Sequence, residues 1–282
     1  SLNVAELGLH GLDRGYACRR SADQAQAARH FVGVGIFAIR PALFTRAQRR
    51  GQILRPPAHR HQPRLARGRD RANRGQCAQP CRWSWQLTPT GHPDQPLLIE
   101  DYFERASSNI AELRNRCAPF SSPIDTLRCM LDESWPAGAH LENLYGRKMY
   151  VGLSRVVKPG VCFLAHHDIF AKDAPDSFQA RSLEAQFACN VYLNMPTEGG
   201  ALQMWDDDIT PDQFDEMRGD SYGIEPALLG PPALEVRPQP GDFIMFNSRR
   251  MHSVTPGVAD PRLSLSFFVG YRGNASPLTY WS

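Results

Sequence analysis

The residues of this chain predict a mainly β protein, a sandwich or jelly roll with flanking helices. Three observations carry that reading. Short runs rich in β-branched and aromatic residues recur from Lys148 to Tyr271, several of them closed by Pro-Gly turns. One run, "QFACNVYLN", alternates as a strand with one face on a core does. Two helical patterns precede the strands and are suited to supporting a sheet.

The 282 residues suit one large domain, or one domain with an appendage. No apolar run approaches the roughly 20 residues of a membrane helix, and the opening residues lack a secretory pattern. Seven scattered cysteines, with no second pair to join Cys77 and Cys81 at zinc-ribbon spacing, read as free thiols in a reducing cytoplasm. The net charge of +3 hides an asymmetry. Residues 1 to 90 hold 16 arginines, no lysine and four acidic groups, while the remainder holds 16 basic and 25 acidic groups. The chain therefore divides into an atypical arginine-rich region, 1–95, and a domain of ordinary composition, 96–282. The stretch from Thr45 to Gln76 has no helical or strand period. It reads as a segment translated out of frame, as a disordered extension, or as a nucleic-acid arm. The lack of lysine and of interleaved aromatics argues against the last. Phe31 to Ile39, "FVGVGIFAI", keeps the composition of one strand.

From Leu97 the texture changes. Leu98, Tyr102, Ile110 and Leu113 recur at helical spacing. In "SSPIDTLRCMLDESW", Ser122 is placed as an N-cap, Pro123 as the first helical residue and Asp125 where a capping box wants an acid. Ile124, Leu127 and Leu131 then share one face. Next come the strand candidates "KMYVGLSRVV" and "VCFLAHHDIF". "QFACNVYLN" and "ALQMWD" follow, read as a hairpin across "MPTEGG". "ALEVRP", "FIMFN" and "RLSLSFFVGY" complete the set, the last read as the final strand. The acidic segment between Asp206 and Pro232 reads as a long loop, either a lid or a solvated insertion.

The chemistry concentrates in "HHD". On a strand, His166 and Asp168 share a face and His167 points away. One imidazole and one carboxylate on one side, joined by a third ligand, form the facial set that suits iron(II). His252, in "NSRRMHSVTPG", is the candidate third ligand. Ten residues on, Arg262 and Ser264 share a strand face, where a guanidinium can grip a carboxylate.

The pattern H-x-D … H-x9-R-x-S resembles the iron(II)/2-oxoglutarate-dependent dioxygenases of the double-stranded β-helix (jelly-roll, cupin-like) fold. "AHHDIFAKDAPDS", "NVYLNMPTEGGALQMWD", "GDSYG" and "PGDFIMFNSRRMHSV" are similar to the branch that hydroxylates free or N-substituted amino acids. That branch is akin to carrier-independent halogenases. The resemblance covers Leu97 to Gly273 and leaves out the basic third, which in this branch helps wall the substrate pocket. It implies His166, Asp168 and His252 as iron ligands and Arg262 with Ser264 on the distal carboxylate of 2-oxoglutarate. Tyr192 is implied at that same carboxylate, or else as a buried aromatic. Asn190, two residues earlier on the same face, is implied nearer the iron, touching 2-oxoglutarate or substrate.

The implied reactants are Fe(II), 2-oxoglutarate, molecular oxygen and a small-molecule substrate, with no membrane or nucleic-acid partner and an open oligomeric state. Halogenase relatives carry glycine where Asp168 stands, so a carboxylate there implies hydroxylation. Desaturation or halogenation on the same site, or an inactive metal-binding jelly roll, are the alternatives.

Overall fold

In this computed structural model the structure describes residues 36–39 and 95–282. Apart from Ile36–Ile39, the arginine-rich stretch lies outside the described residues.

Two helices open the described domain. The first, α1 (Gln95–Cys117), turns Tyr102 and Leu113 into the interior. The second, α2 (Pro123–Ser134), starts as its residues predict: the Asp125 amide donates to the Ser122 hydroxyl, and Pro123 takes the first turn. The acid at the capping-box position acts differently from expectation. The Asp125 carboxylate accepts from the Ser122 hydroxyl and from both nitrogens of an Arg114 fork at 2.8 and 2.7 Å, tying α1 to α2. Ile124 and Leu127 are fully buried, with Leu131 packed beside them.

The strands form two sheets, the jelly-roll arrangement. The larger contains β1 (Ile36–Ile39), β2 (Ala139–Leu141), β5 (Leu153–Val157), β7 (Ala185–Asn194), β10 (Phe243–Asn247), β12 (Arg262–Tyr271) and β13 (Leu278–Trp281). The smaller runs β6-β11-β8-β9, with β6 Phe163–His166, β8 Leu202–Met204, β9 Leu234–Val236 and β11 His252–Val254. A separate ribbon joins β3 (Asn143–Leu144) and β4 (Arg147–Lys148). β12 is the spine of the large sheet. One edge pairs with β7 along nearly its whole length; the other takes β5 near Arg262–Ser266 and β13 near Phe268–Gly270.

Several expectations need correction. "KMYVGLSRVV" is not one strand: Met149 to Gly152 leave the sheet between β4 and β5. "QFACNVYLN" and "ALQMWD" do not pair as a hairpin. β7 lies between β10 and β12, while β8 lies between β11 and β9 in the other sheet. The Gly199–Gly200 pair is instead the crossing between sheets. Both have positive φ near 70°, and a Cβ on Gly199 would meet the Pro256 carbonyl oxygen at 1.9 Å. The strand "RLSLSFFVGY" is not the last: past the turn at residues 273–277 it is followed by β13. Among the described cysteines, Cys117, Cys129 and Cys189 are free, but Cys162 is disulfide-bonded, against the expectation of free thiols throughout.

Alternation along β7 divides the core. Cys189 and Val191 pack with Phe243, Met245, Leu265 and Phe267 against α1 and α2. Ala188 and Tyr192 face the small sheet, where Leu202, Met204, Ile244 and Phe246 join them. The acidic segment is not a bare loop. It contains α4 (Pro211–Arg218), capped by Thr210 and Gln213, and then returns over the β6 strand. There Ile224 bridges Ala165, the Leu164 amide donates to the Tyr222 hydroxyl at 2.7 Å, and a Cβ on Gly223 would press on Ala165 and Leu164 at 2.8 Å. No described helix is long and apolar enough to cross a membrane.

Candidate active site

A single cavity between the sheets collects the predicted residues. Its wall includes His166, Asp168, His252, Asn190, Tyr192 and Arg262. The first three are brought together by one cross-strand pair and one anchored loop. His252 lies directly opposite His166 in the β11–β6 register, with ring centroids 4.4 Å apart. Asp168 stands two residues beyond the end of β6. Its amide donates to the Ser248 carbonyl at 2.8 Å, and the Ser248 hydroxyl donates to its carbonyl at 3.2 Å, so the residue is fixed from the large sheet. One ligand atom from each residue lies within 4.8 Å of the others, close enough to share one cation. His252 Nε2 and Asp168 Oδ2 are 3.5 Å apart.

The hydrogen bonds behind the imidazoles aim them. His166 Nδ1 lies 2.8 Å from the Leu164 carbonyl, and His252 Nδ1 lies 2.9 Å from the Arg250 carbonyl. A carbonyl can only accept, so both Nδ1 atoms carry the proton and both Nε2 lone pairs are left for a metal. Burial, with His252 adding to it, pushes His166 down to about 4, which keeps it neutral as a ligand must be. Burial alone would raise the Asp168 pKa. The bond to His252 and the neighbouring charges of His166, His252 and Arg155 outweigh it and hold the carboxyl well below its usual range. The donor set, two imidazoles and one carboxylate, therefore fits a divalent iron. His167 turns away, as strand alternation requires. It is buried against Phe214 at 4.3 Å, outside the cavity wall.

The opposite wall is cationic. Arg262 is buried at the start of β12 with its guanidinium over the Phe163 ring, and its Nε has no hydrogen-bond partner. Arg155, which sequence reasoning passed over, lines the same cavity from β5, and its Nε is likewise unpartnered. A charged residue within "LSRVV" was the available signal, because burying a lone guanidinium in a strand is costly unless an anion meets it. Burial lowers the pKa of both arginines, and each feels Tyr192 in the opposing direction.

Tyr192 is buried on the cavity wall. Asn190 already has its partner: the Ser266 hydroxyl donates to its Oδ1 at 2.6 Å. Ser264 is buried opposite Arg155 and Tyr192, beside a bulge in the β12–β7 register, and does not reach the cavity wall. Arg249 and Arg250 do not reach it either. Arg249 donates to the Leu183 and Glu184 carbonyls, and Arg250 to Asp206 and Asp208. Trp205 belongs to the core, its indole N–H donating to the Gly230 carbonyl.

Comparison with known proteins settles the family. The profile described as the 2OG-Fe(II) oxygenase superfamily matches residues 151–270. The L-gamma-glutamyl-L-propargylglycine hydroxylase of Streptantibioticus cattleyicolor is 30% identical over 206 residues, covering 71% of this chain and 74% of that protein. This chain belongs to the 2OG-Fe(II) oxygenase superfamily. Two crystal structures of a novel N-substituted L-amino acid dioxygenase from Burkholderia ambifaria AMMD share the fold of this oxygenase. The complex with alpha-KG has a TM-score of 0.53 at 18% identity, covering 70% of this chain and 75% of that one. The other has a TM-score of 0.51 at 17% identity, covering 70% and 74%. The protein is thus a 2-oxoglutarate-dependent dioxygenase, with Fe(II), 2-oxoglutarate and oxygen as its reactants.

Proposed function

We propose that this oxygenase hydroxylates an unactivated C–H bond in an amino acid or N-substituted amino acid. His166, Asp168 and His252 would hold the iron, and Arg262 the distal carboxylate of 2-oxoglutarate. One observation carries the reading. Two buried guanidinium groups with unpartnered Nε atoms share a cavity with a three-ligand face. A dianion that must also meet the metal fits that arrangement, since each carboxylate can neutralise charge the fold leaves exposed to the cavity.

Bound iron would supply the oxygen chemistry, converting C–H to C–OH while 2-oxoglutarate becomes succinate and carbon dioxide. The chain's own work is positional. Arg262 and Arg155 fix the anion, with the Tyr192 hydroxyl as a further donor to it. The Nδ1 bonds to Leu164 and Arg250 keep both imidazoles aimed. Phe163, Phe246, Leu202 and Phe268 exclude water from the cavity. Asp168 completes the ligand face with a carboxylate, which favours hydroxylation over halide transfer. The relatives named above act on amino-acid derivatives, which supports the substrate class.

The test is to incubate the protein with Fe(II), 2-oxoglutarate and oxygen against free, N-acyl and γ-glutamyl amino acids. Succinate formed in step with a product heavier by one oxygen atom is expected. A product lighter by two hydrogens, or a chlorinated one, would replace hydroxylation with another outcome; substrate-independent silence across the panel would overturn the substrate class.

A further inference from the structure

The polar groups of the cavity wall can nearly all be accounted for. His166, Asp168 and His252 form the metal face, and Arg155, Arg262 and Tyr192 form the anion end. Asn190 is bonded to Ser266, and Gln186 Oε1 accepts from the Phe170 amide at 2.9 Å. The Ser282 hydroxyl accepts from the Gly152 amide and donates to the Ser266 carbonyl. Asp173 is left over. It lies on the cavity wall at the end of the short helix α3 (Phe170–Asp173), and its carboxylate has no hydrogen bond or ion pair among the described residues.

The charge of its neighbour on the helix, Lys172, reaches Asp173 without forming an ion pair with it. Lys172 is engaged with Asp215 at 2.7 Å and lies over the Phe214 ring. The charges that reach Asp173 are Asp168 and Lys172, whereas those that reach Arg262 are Tyr192 and Arg155. The cavity wall therefore carries two guanidinium groups with unpartnered Nε atoms, the ligand face, and one carboxyl without a hydrogen-bond or ion-pair partner among the described residues. Aromatic rings accompany that carboxyl. Phe170, three residues earlier on the same helix face, stacks on Trp281 at 4.7 Å, and Trp281 meets Phe268 at 5.6 Å; all three line the cavity.

A carboxylate that shares a cavity wall with aromatic rings can recognise an ammonium group, by ion pairing and by cation–π attraction. We propose that Asp173 is the counter-ion for a protonated amine of the substrate, so that the preferred substrate carries a free ammonium, not an N-acyl group, at this end. The inference rests on the reading of this cavity as the hydroxylation site. It narrows the substrate class to cationic amines, such as a free amino acid or the open amino end of a dipeptide. Burial, with Asp168 adding to it, pushes the empty Asp173 carboxyl up to about 8, so an isolated charge there is disfavoured until a cation arrives.

Anaerobic calorimetry on protein loaded with Fe(II) and 2-oxoglutarate tests this with matched pairs. The probes are L-leucine against N-acetyl-L-leucine, and γ-glutamyl-L-norvaline against its N-acetyl form. The ammonium member should bind at least about tenfold tighter in one pair or both, the size expected of a desolvated charge pair. Asp173→Asn should cut that preference to under about threefold with 2-oxoglutarate affinity kept, and Asp173→Glu should retain part of it. Equal or tighter binding of the N-acetyl members, binding by neither member, or a preference that survives in Asp173→Asn would each overturn the inference. The wild-type pairs alone decide it if the variants do not fold. Loss of 2-oxoglutarate binding in the wild type would instead count against the hydroxylation site itself.

Discussion

The two sheets contribute to the site in opposite ways. The four-stranded sheet supplies the proposed iron ligands from strand ends: His166 closes β6, His252 opens β11, and Asp168 follows β6 into a loop tied down by Ser248. The seven-stranded sheet supplies its groups from the paired β5–β12–β7 ladder: Arg155 lies inside β5, Asn190 and Tyr192 inside β7, and Arg262 opens β12. Arg155, Asn190, Tyr192 and Arg262 sit in a ladder where β12 has a paired neighbour on each side. The ligand face therefore depends on a few contacts at a sheet end, and the anion end on the continuity of a whole sheet. Damage to the first should be abrupt and local; damage to the second should be graded.

That contrast can be broken from either side. The largest effect should follow from His166→Ala, Asp168→Ala or His252→Ala. Each should lower iron retention after dialysis by more than about 100-fold, beyond the 10–100-fold typical of outer-shell changes, and stop succinate formation. Retained iron in His252→Ala would mean that the strand-end set is wrongly assigned. Arg262→Ala should be milder. It removes charge-assisted bonds of roughly 1.5–3 kcal/mol each, so the 2-oxoglutarate requirement should rise about tenfold or more with the iron content unchanged. Unchanged 2-oxoglutarate dependence would detach the large sheet from co-substrate binding.

The joint between the sheets is the next target. Gly199→Ala places a Cβ against the Pro256 carbonyl at a left-handed φ, which should cost at least about 2 kcal/mol. Thermal unfolding should then fall by several degrees, whereas Gly160→Ala, with open space around it, should lose only its left-handed φ preference. Equal losses would show that the crossing is not tight.

The last effect appears only in acid and is absent at neutral pH. Burial, with Lys172 adding to it, pushes His167 down to about 4, against an unfolded value near 6.5. Between those values the unfolded chain binds the extra proton, so this stability is fully present above pH about 6.5 and is lost as pH falls toward about 4. In metal-free protein His166 should act in the same sense. The His167 share, about 3 kcal/mol in order of magnitude, should vanish in His167→Phe when urea midpoints are compared across that range. A variant as acid-sensitive as the wild type would place the sensitivity elsewhere.

What was legible in the residues was what is local or repeats at a fixed spacing. Ser122-Pro123 announced the start of α2 because a cap acts over one turn. His166, Asp168 and His252 were legible because alternation sets two of them on one side and the motif spacing supplies the third. The Gly-Gly hairpin failed for the converse reason. A glycine pair reports a sharp turn, but not whether the next strand returns to the same sheet. β2 escaped because it is short and pairs with a segment far away in sequence, and β13 because it has only four residues, although it turns straight back on β12. Arg155 becomes a cavity residue only through its register opposite Ser264, and Asp173 sits in "AKDAPD", which reads as solvated polar chain until the cavity is seen around it.

The central claim is that the strand-end ligands and the buried arginines serve one reactant pair in one cavity. Anaerobic titration of the protein with Fe(II) and 2-oxoglutarate tests it most directly, by the visible charge-transfer absorption that a chelated 2-oxo acid gives on iron(II). The account predicts that this absorption saturates at one equivalent of 2-oxoglutarate in the wild type, needs more 2-oxoglutarate in Arg262→Ala, and is absent in His252→Ala. No absorption in the wild type, or the same titration curve in all three proteins, would contradict it.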